Sequence, residues 1–221
     1  MRWILDYFRY AWHDLQDAHH VRSLYYRDPD FSAIDRSLLK KYIMRSPYRI
    51  SKRFLKQKKA QDLYTYGETP LSTFEEMAKE ASIKPLDHVL ELGCGRGRGV
   101  FFLAHFFNCQ VTGIERIPQF VKLAKHVAKQ HHVKNVSFKC ADMFKTKWPD
   151  STVIFLYGTC LEDEEIFKVI QKLKTFPVGT RILSVSYPLI DYDKGDAFKL
   201  VKRFPVAFPW GETEAFLQTV E

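Results

Sequence analysis

The chain has no uninterrupted apolar run of the roughly 18 residues a membrane-spanning helix requires, so no transmembrane segment is expected. Its N-terminus carries no signal-peptide core either, because Asp6, Arg9, His13 and Asp14 interrupt the apolar residues there. A cytoplasmic protein is the expectation. Cysteine is scarce: Cys94, Cys109, Cys140 and Cys160 stand far apart without a Cys-x-x-Cys pair, which argues against a zinc site and against a disulfide framework. Four of the eight histidines come as adjacent pairs, His19-His20 and His131-His132, which on a helix point in different directions, so no metal site is expected there. Also missing is a Gly-Lys-Ser or Gly-Lys-Thr triplet, which excludes a triphosphate-cradling loop. With 221 residues, 46% of them apolar, the chain can nonetheless bury one substantial core.

Glycine is sparse too, with 10 in the chain, yet three fall in Val89-Leu90-Glu91-Leu92-Gly93-Cys94-Gly95-Arg96-Gly97. An apolar strand ends in a carboxylate and enters a loop with glycine at alternate positions. Such a loop lets backbone N–H groups approach a small molecule closely, and Gly99 to Ala104 reads as the helix that follows. This is the first half of a βαβ nucleotide-binding unit. The dinucleotide fingerprint requires a third glycine where this chain has Arg98 or Val100, so that ligand class fits poorly. The remaining reading is a nucleoside-like ligand that lacks a pyrophosphate and carries positive charge near Glu91. Two further acids fit. Cys109 to Glu115 ends in Glu115, 24 residues after Glu91, and Val136 to Asp142 ends in Asp142. In an open parallel sheet these strand ends border the ligand crevice.

On these residues the chain resembles the class I S-adenosylmethionine-dependent methyltransferases, from about residue 64 onward. The resemblance implies an α/β, Rossmann-like sheet, mostly parallel, with an antiparallel hairpin at its C-terminal end. It implies S-adenosylmethionine as cofactor, with Gly93, Gly95 and Gly97 around its methionine moiety beside Glu91. Glu115 would take the ribose hydroxyls, Asp142 the adenine edge, and Arg116 and Met143 the adjoining walls. The expected strands continue with Thr152 to Tyr157, Arg181 to Tyr187, Phe198 to Phe208 and Ala215 to Val220, with a helix over Glu164 to Leu173.

The expected division is a helical, basic N-terminal extension over residues 1–62 and a cofactor-binding domain over 63–221. In the extension, Trp3, Ile4, Tyr7, Phe8, Ala11, Trp12 and Leu15 recur at helical spacing. From Arg36 to Lys59 lie ten Lys or Arg residues and no acid, against a net charge of +8 for the chain. Two short helices, the second begun by Ser46-Pro47, would carry those charges outward on apolar anchors that include Leu38, Tyr42, Ile43, Ile50 and Leu55. Such a face suits an anionic macromolecule. Tyr64 to Pro70 then reads as a lid, with Tyr66 against the cofactor, followed by a helix with Ser72 and Glu75 spaced as a capping box. The Tyr66-Gly67-Glu68 segment is similar to one preceding the glycine loop in non-SET lysine methyltransferases.

After the fourth strand stands Tyr157-Gly158-Thr159-Cys160 instead of the Asn-Pro-Pro-Tyr type used on the amino groups of bases or glutamine. That counts against those substrates, and the likeness to lysine methyltransferases implies a protein amine such as lysine as methyl acceptor, with RNA or a small molecule as the alternative. Glu68 is the candidate to orient the amine or accept its proton, and Tyr157 to desolvate it. The competing reading is a catalytically inactive fold of this kind that binds nucleic acid through its basic segment.

Overall fold

The computed structural model describes residues 16–193 and 195–221. The helix expected over Trp3 to Leu15 lies outside the described residues. Residues 16–23 are helical, and two helices of the extension follow: α1, Pro29–Lys40, and α2, Pro47–Gln57. Then come α3, Leu71–Glu80; β1, His88–Leu92; α4, Arg98–Phe106; β2, Gln110–Glu115; α5, Pro118–Gln130; and β3, Val136–Cys140. The second half holds β4, Val153–Leu156; α6, Asp163–Leu173; β5, Arg181–Val185; β6, Phe198–Phe208; and β7, Gly211–Val220.

The seven strands form one sheet in the order β3-β2-β1-β4-β5-β7-β6. Strands β1 to β5 pair in parallel, and β7 runs antiparallel to both β5 and β6. The chain leaves β3 at one edge and returns on the far side of β1, so the strand order reverses between β1 and β4. That switch point is where open α/β sheets bind ligands, outside the carboxyl ends of the strands.

Period-two alternation divides the buried residues between the two faces of the sheet. Val89, Val111, Val153 and Phe155 face a layer containing α3, α4 and α5, while Leu90, Leu92, Ile154 and Leu156 face α6 and Trp148. The first layer also takes in Val21, Tyr25, Phe31, Ile34, Leu38 and Tyr42, so buried residues of the extension share one apolar cluster with the sheet. A polar tie reinforces the contact. Arg98, the first residue of α4, donates through Nε and Nη2 to the two oxygens of buried Asp35 on α1, each at 2.9 Å, and Tyr26 Oη donates to the same carboxylate.

Three local expectations are corrected. Helix α3 starts at Leu71 after Pro70, which places Ser72 inside the helix; its hydroxyl donates to Asp17, and Glu75 pairs with Lys79 and Tyr25. Among the described residues a capping box forms at α6 instead, between Glu162 and Glu165. Ser46 does precede Pro47 at the start of α2, yet its side chain caps nothing. Finally, Ile43 is 75% exposed and anchors no core, because α1 ends at Lys40 and the intervening turn carries it outward.

Candidate functional site

The glycine loop joins β1 to α4 at the switch point. The N–H groups of Gly93 and Cys94 both donate to the Ile114 carbonyl, at 2.9 and 3.1 Å, folding the loop back over β2. Gly97 caps α4 at φ 81°, a left-handed conformation that disfavours any side chain, and a Cβ there would overlap the Phe138 ring. Gly95, at φ 52°, lies under the ring of Tyr66, which would stand 3.3 Å from an added Cβ. Tyr66 therefore covers the loop, where the lid was expected.

Glu115 ends β2 and is buried. Its Oε2 accepts the Gly95 N–H at 3.0 Å and its Oε1 the Ile117 N–H at 2.8 Å, so one carboxylate ties the glycine loop to the end of the next strand. Burial raises its pKa, and those two backbone donors work against the rise. The segment after β3 is drawn to the same place, since the Ala141 N–H donates to the Glu115 carbonyl at 3.0 Å. Asp142 follows directly, its Oδ1 accepting the Phe144 N–H at 2.9 Å and its carbonyl two more N–H groups. Met143 is half-buried beside it, and Arg116 is exposed next to Glu115.

Glu91 is the most unusual group. It is 3% exposed, and its Oε2 has no hydrogen-bond partner. Burial, and then the charge of Glu115, push its pKa up to about 8. An isolated buried carboxylate is costly to ionise, so Glu91 holds its proton near neutral pH unless a cation stands beside it. Above it lies Tyr157, one residue past β4 and on the same face of the sheet as Glu91 and Phe155. The Tyr157 ring packs edge-on against Phe74, at 5.4 Å between centroids. Its hydroxyl is buried without a well-formed hydrogen bond, facing Thr69, and burial together with Glu91 raises its pKa well above the ordinary tyrosine value.

Across the lid, Tyr66 Oη donates to Glu68 Oε1 at 2.6 Å, and Arg96 Nη2 bonds Glu68 Oε2. The Arg96 guanidinium also lies 4.9 Å above the Tyr42 ring. Arg96 and Tyr42 were not foreseen as site residues. The signal for Arg96 was present, a charged residue within a loop of small ones, but its partner lies 28 positions away. A groove of about 770 Å³ opens beside this group, lined by Tyr42, Pro47, Glu68, Thr69, Arg96 and Phe208. A second, of about 690 Å³, follows β3 past Lys139 and Trp148 and includes none of the expected site residues. Among the described residues no group of His, Cys, Asp and Glu could hold a metal ion.

The unpaired Glu91 oxygen would complement a ligand with a cationic amino-acid end, and it lies beside the left-handed glycine loop that Glu115 holds and Tyr66 covers. With the strand order β3-β2-β1-β4-β5-β7-β6, the chain has the fold of the class I S-adenosylmethionine-dependent methyltransferases. Residues 91–195 match the model of a narrower group, the ANTKMT methyltransferase domain. Among curated relatives, the protein-L-isoaspartate O-methyltransferase of Pyrococcus horikoshii is 34% identical over 114 residues, 51% of this chain and 51% of that one. Phosphoethanolamine N-methyltransferase 3 of Arabidopsis thaliana is 32% identical over 91 residues, 40% of this chain and 18% of the relative. The chain thus spans about half or less of the length of the curated relatives it matches. A solved RNA methyltransferase from Salinibacter ruber, in complex with S-adenosyl-L-homocysteine, superimposes with a TM-score of 0.57 at 26% identity, over 70% of this chain and 94% of that one.

Proposed function

We propose that this protein transfers a methyl group from S-adenosylmethionine to a protein amine, a lysine side chain being the leading acceptor. The observation that carries the cofactor half is the buried, unpartnered Glu91 carboxyl beside the glycine loop. In this reading Glu91 faces the cationic amino-acid end, Gly93, Gly95 and Gly97 line it, and Tyr66 closes over it. Glu115 is held by Gly95 and Ile117 where it can take ribose hydroxyls, and Asp142, Met143 and Arg116 border the base. The bound cofactor supplies an electrophilic methyl on a sulfonium. The described part of the extension, residues 16–62, supports the rear of this site, and the domain that follows carries it.

For the acceptor, the argument is one of desolvation. An amine attacks only after losing its proton, and a wall that excludes water lowers its pKa. Tyr157, packed against Phe74 and Phe155, supplies such a wall; Tyr187, whose hydroxyl lies 3.4 Å from the Gly158 carbonyl, extends it. Glu68 stands at the groove, where it can orient an amine and receive its proton. Alignment of the neutral amine then provides much of the rate.

The test is transfer of radiolabelled methyl groups from S-adenosylmethionine into fractionated protein, RNA and small molecules. Label in protein, stable to base and recovered as methyl-lysine, is the expected result. Label confined to RNA or to small molecules overturns the acceptor assignment. Absence of S-adenosylhomocysteine binding by calorimetry overturns the whole reading.

A further inference from the structure

The turn between α1 and α2, residues 41–45, puts two consecutive apolar side chains into solvent. Ile43 is 75% exposed and Met44 90%. They stand at the centre of the chain's most basic segment, with Arg36, Lys40 and Lys41 before them and Arg45, Arg49, Lys52, Arg53, Lys56, Lys58 and Lys59 after. All ten except Lys41 are exposed, and none forms a salt bridge among the described residues. On α2 the pattern is two-sided. Ser51 and Leu55 are buried, while Arg49, Lys52, Arg53 and Lys56 share the opposite face.

We propose that this turn and the basic faces beside it dock the protein onto an anionic lipid bilayer, with Ile43 and Met44 entering the boundary between headgroups and acyl chains. Charge complementarity demands an anionic partner. The apolar tip selects among anionic partners. Aliphatic side chains gain from transfer into hydrocarbon, whereas single-stranded nucleic acid is held by aromatic rings with free faces. The rings here each carry a contact of their own, Lys52 Nζ 4.4 Å over Tyr64, Arg36 4.9 Å over Tyr26, and Tyr48 edge-on against Tyr66 at 5.3 Å, with Tyr48 57% and Tyr64 74% exposed, while the tip of the turn itself is aliphatic. Ile43 and Pro47 also line the groove that reaches Glu68 and Arg96, so docking would turn the groove's mouth toward the membrane.

Vesicle sedimentation of the full-length protein tests this without reference to methyl transfer. Phosphatidylcholine vesicles containing about 30% phosphatidylglycerol, at about 0.1 M salt, are compared with phosphatidylcholine alone. The expected partition coefficient is at least about tenfold higher on the anionic vesicles. Ile43→Ser with Met44→Ser should reduce it about tenfold, and Arg49→Gln, Lys52→Gln and Arg53→Gln together about 100-fold, at about fivefold per charge. All five positions are exposed, so an unchanged thermal melt accompanies both losses. Equal partition onto neutral vesicles overturns the proposal, as does wild-type binding by the serine variant. So does displacement of the vesicles by a single-stranded RNA 20-mer held more tightly, which would assign the face to nucleic acid.

Discussion

If Glu91 faces the positive end of the cofactor, cofactor affinity must depend on pH in a way set by this one buried carboxyl. Its pKa stands at about 8, so at pH 6 about 1% of the protein has Glu91 ionised and at pH 8 about half. A ligand whose cation requires the ionised form should therefore bind about 50-fold more tightly at pH 8 than at pH 6, with close to one proton released on binding near pH 7. Calorimetry with S-adenosylhomocysteine in buffers of different ionisation enthalpy reads both quantities. Glu91→Gln keeps the shape and removes the titration, so its affinity should be low and nearly flat, leaving only the ligand's own amine to titrate. Stability supplies a second readout. Because the folded state holds this proton more tightly than the unfolded one, the group's stabilising contribution is complete below pH 4.5 and is lost as pH rises toward 8. Relative to wild type, the unliganded glutamine variant should thus gain stability between pH 5 and pH 8, by up to about 5 kcal/mol. A wild-type affinity that changes less than about threefold across that range, or an equal slope in the variant, refutes the assignment of Glu91.

Gly97→Ala combines a left-handed backbone with overlap on Phe138, which together cost about 2–4 kcal/mol; a fall of about 5–15 °C in melting temperature checks it. Asp35→Ala leaves the Arg98 guanidinium with only Asp17, 3.9 Å away, and should cost up to about 3–5 kcal/mol in urea unfolding, whereas a surface control such as Lys199→Ala should change little. Glu115→Gln removes the charge that organises the Gly95 and Ile117 donors, and should weaken S-adenosylhomocysteine binding about 10- to 100-fold by calorimetry while the protein stays folded.

Much of the site was legible because its determinants are local. Strand, acid and glycine loop are contiguous from Val89 to Gly97, and the period-two pattern that buries Val89 against one layer and Leu90 against the other is written in adjacent residues. Glu115 could be read as a strand end for the same reason, whereas β3 ends at Cys140 and Asp142 falls two residues beyond it. What escaped depends on distance or on competition between neighbours. The Arg98–Asp35 pair spans 63 positions, and no local pattern links the two residues. Ser72 and Glu75 have capping-box spacing, but Pro70 takes the position before the helix and Asp17 claims the serine hydroxyl. Ile43 has the polarity of an anchor, and only the early end of α1 turns it away from the core.

Arg98 is bonded to Asp35 and immediately follows Gly97, so the helix that carries the extension's grip is also the helix whose first turn abuts the cofactor cradle. Any coupling between them must act in both directions. A ligand that stiffens the cradle should slow amide exchange along α1, and whatever immobilises α1 from outside should, by the same free-energy reciprocity, tighten the cradle. A surface contact on the extension would then act as a gain control for a reaction it never touches.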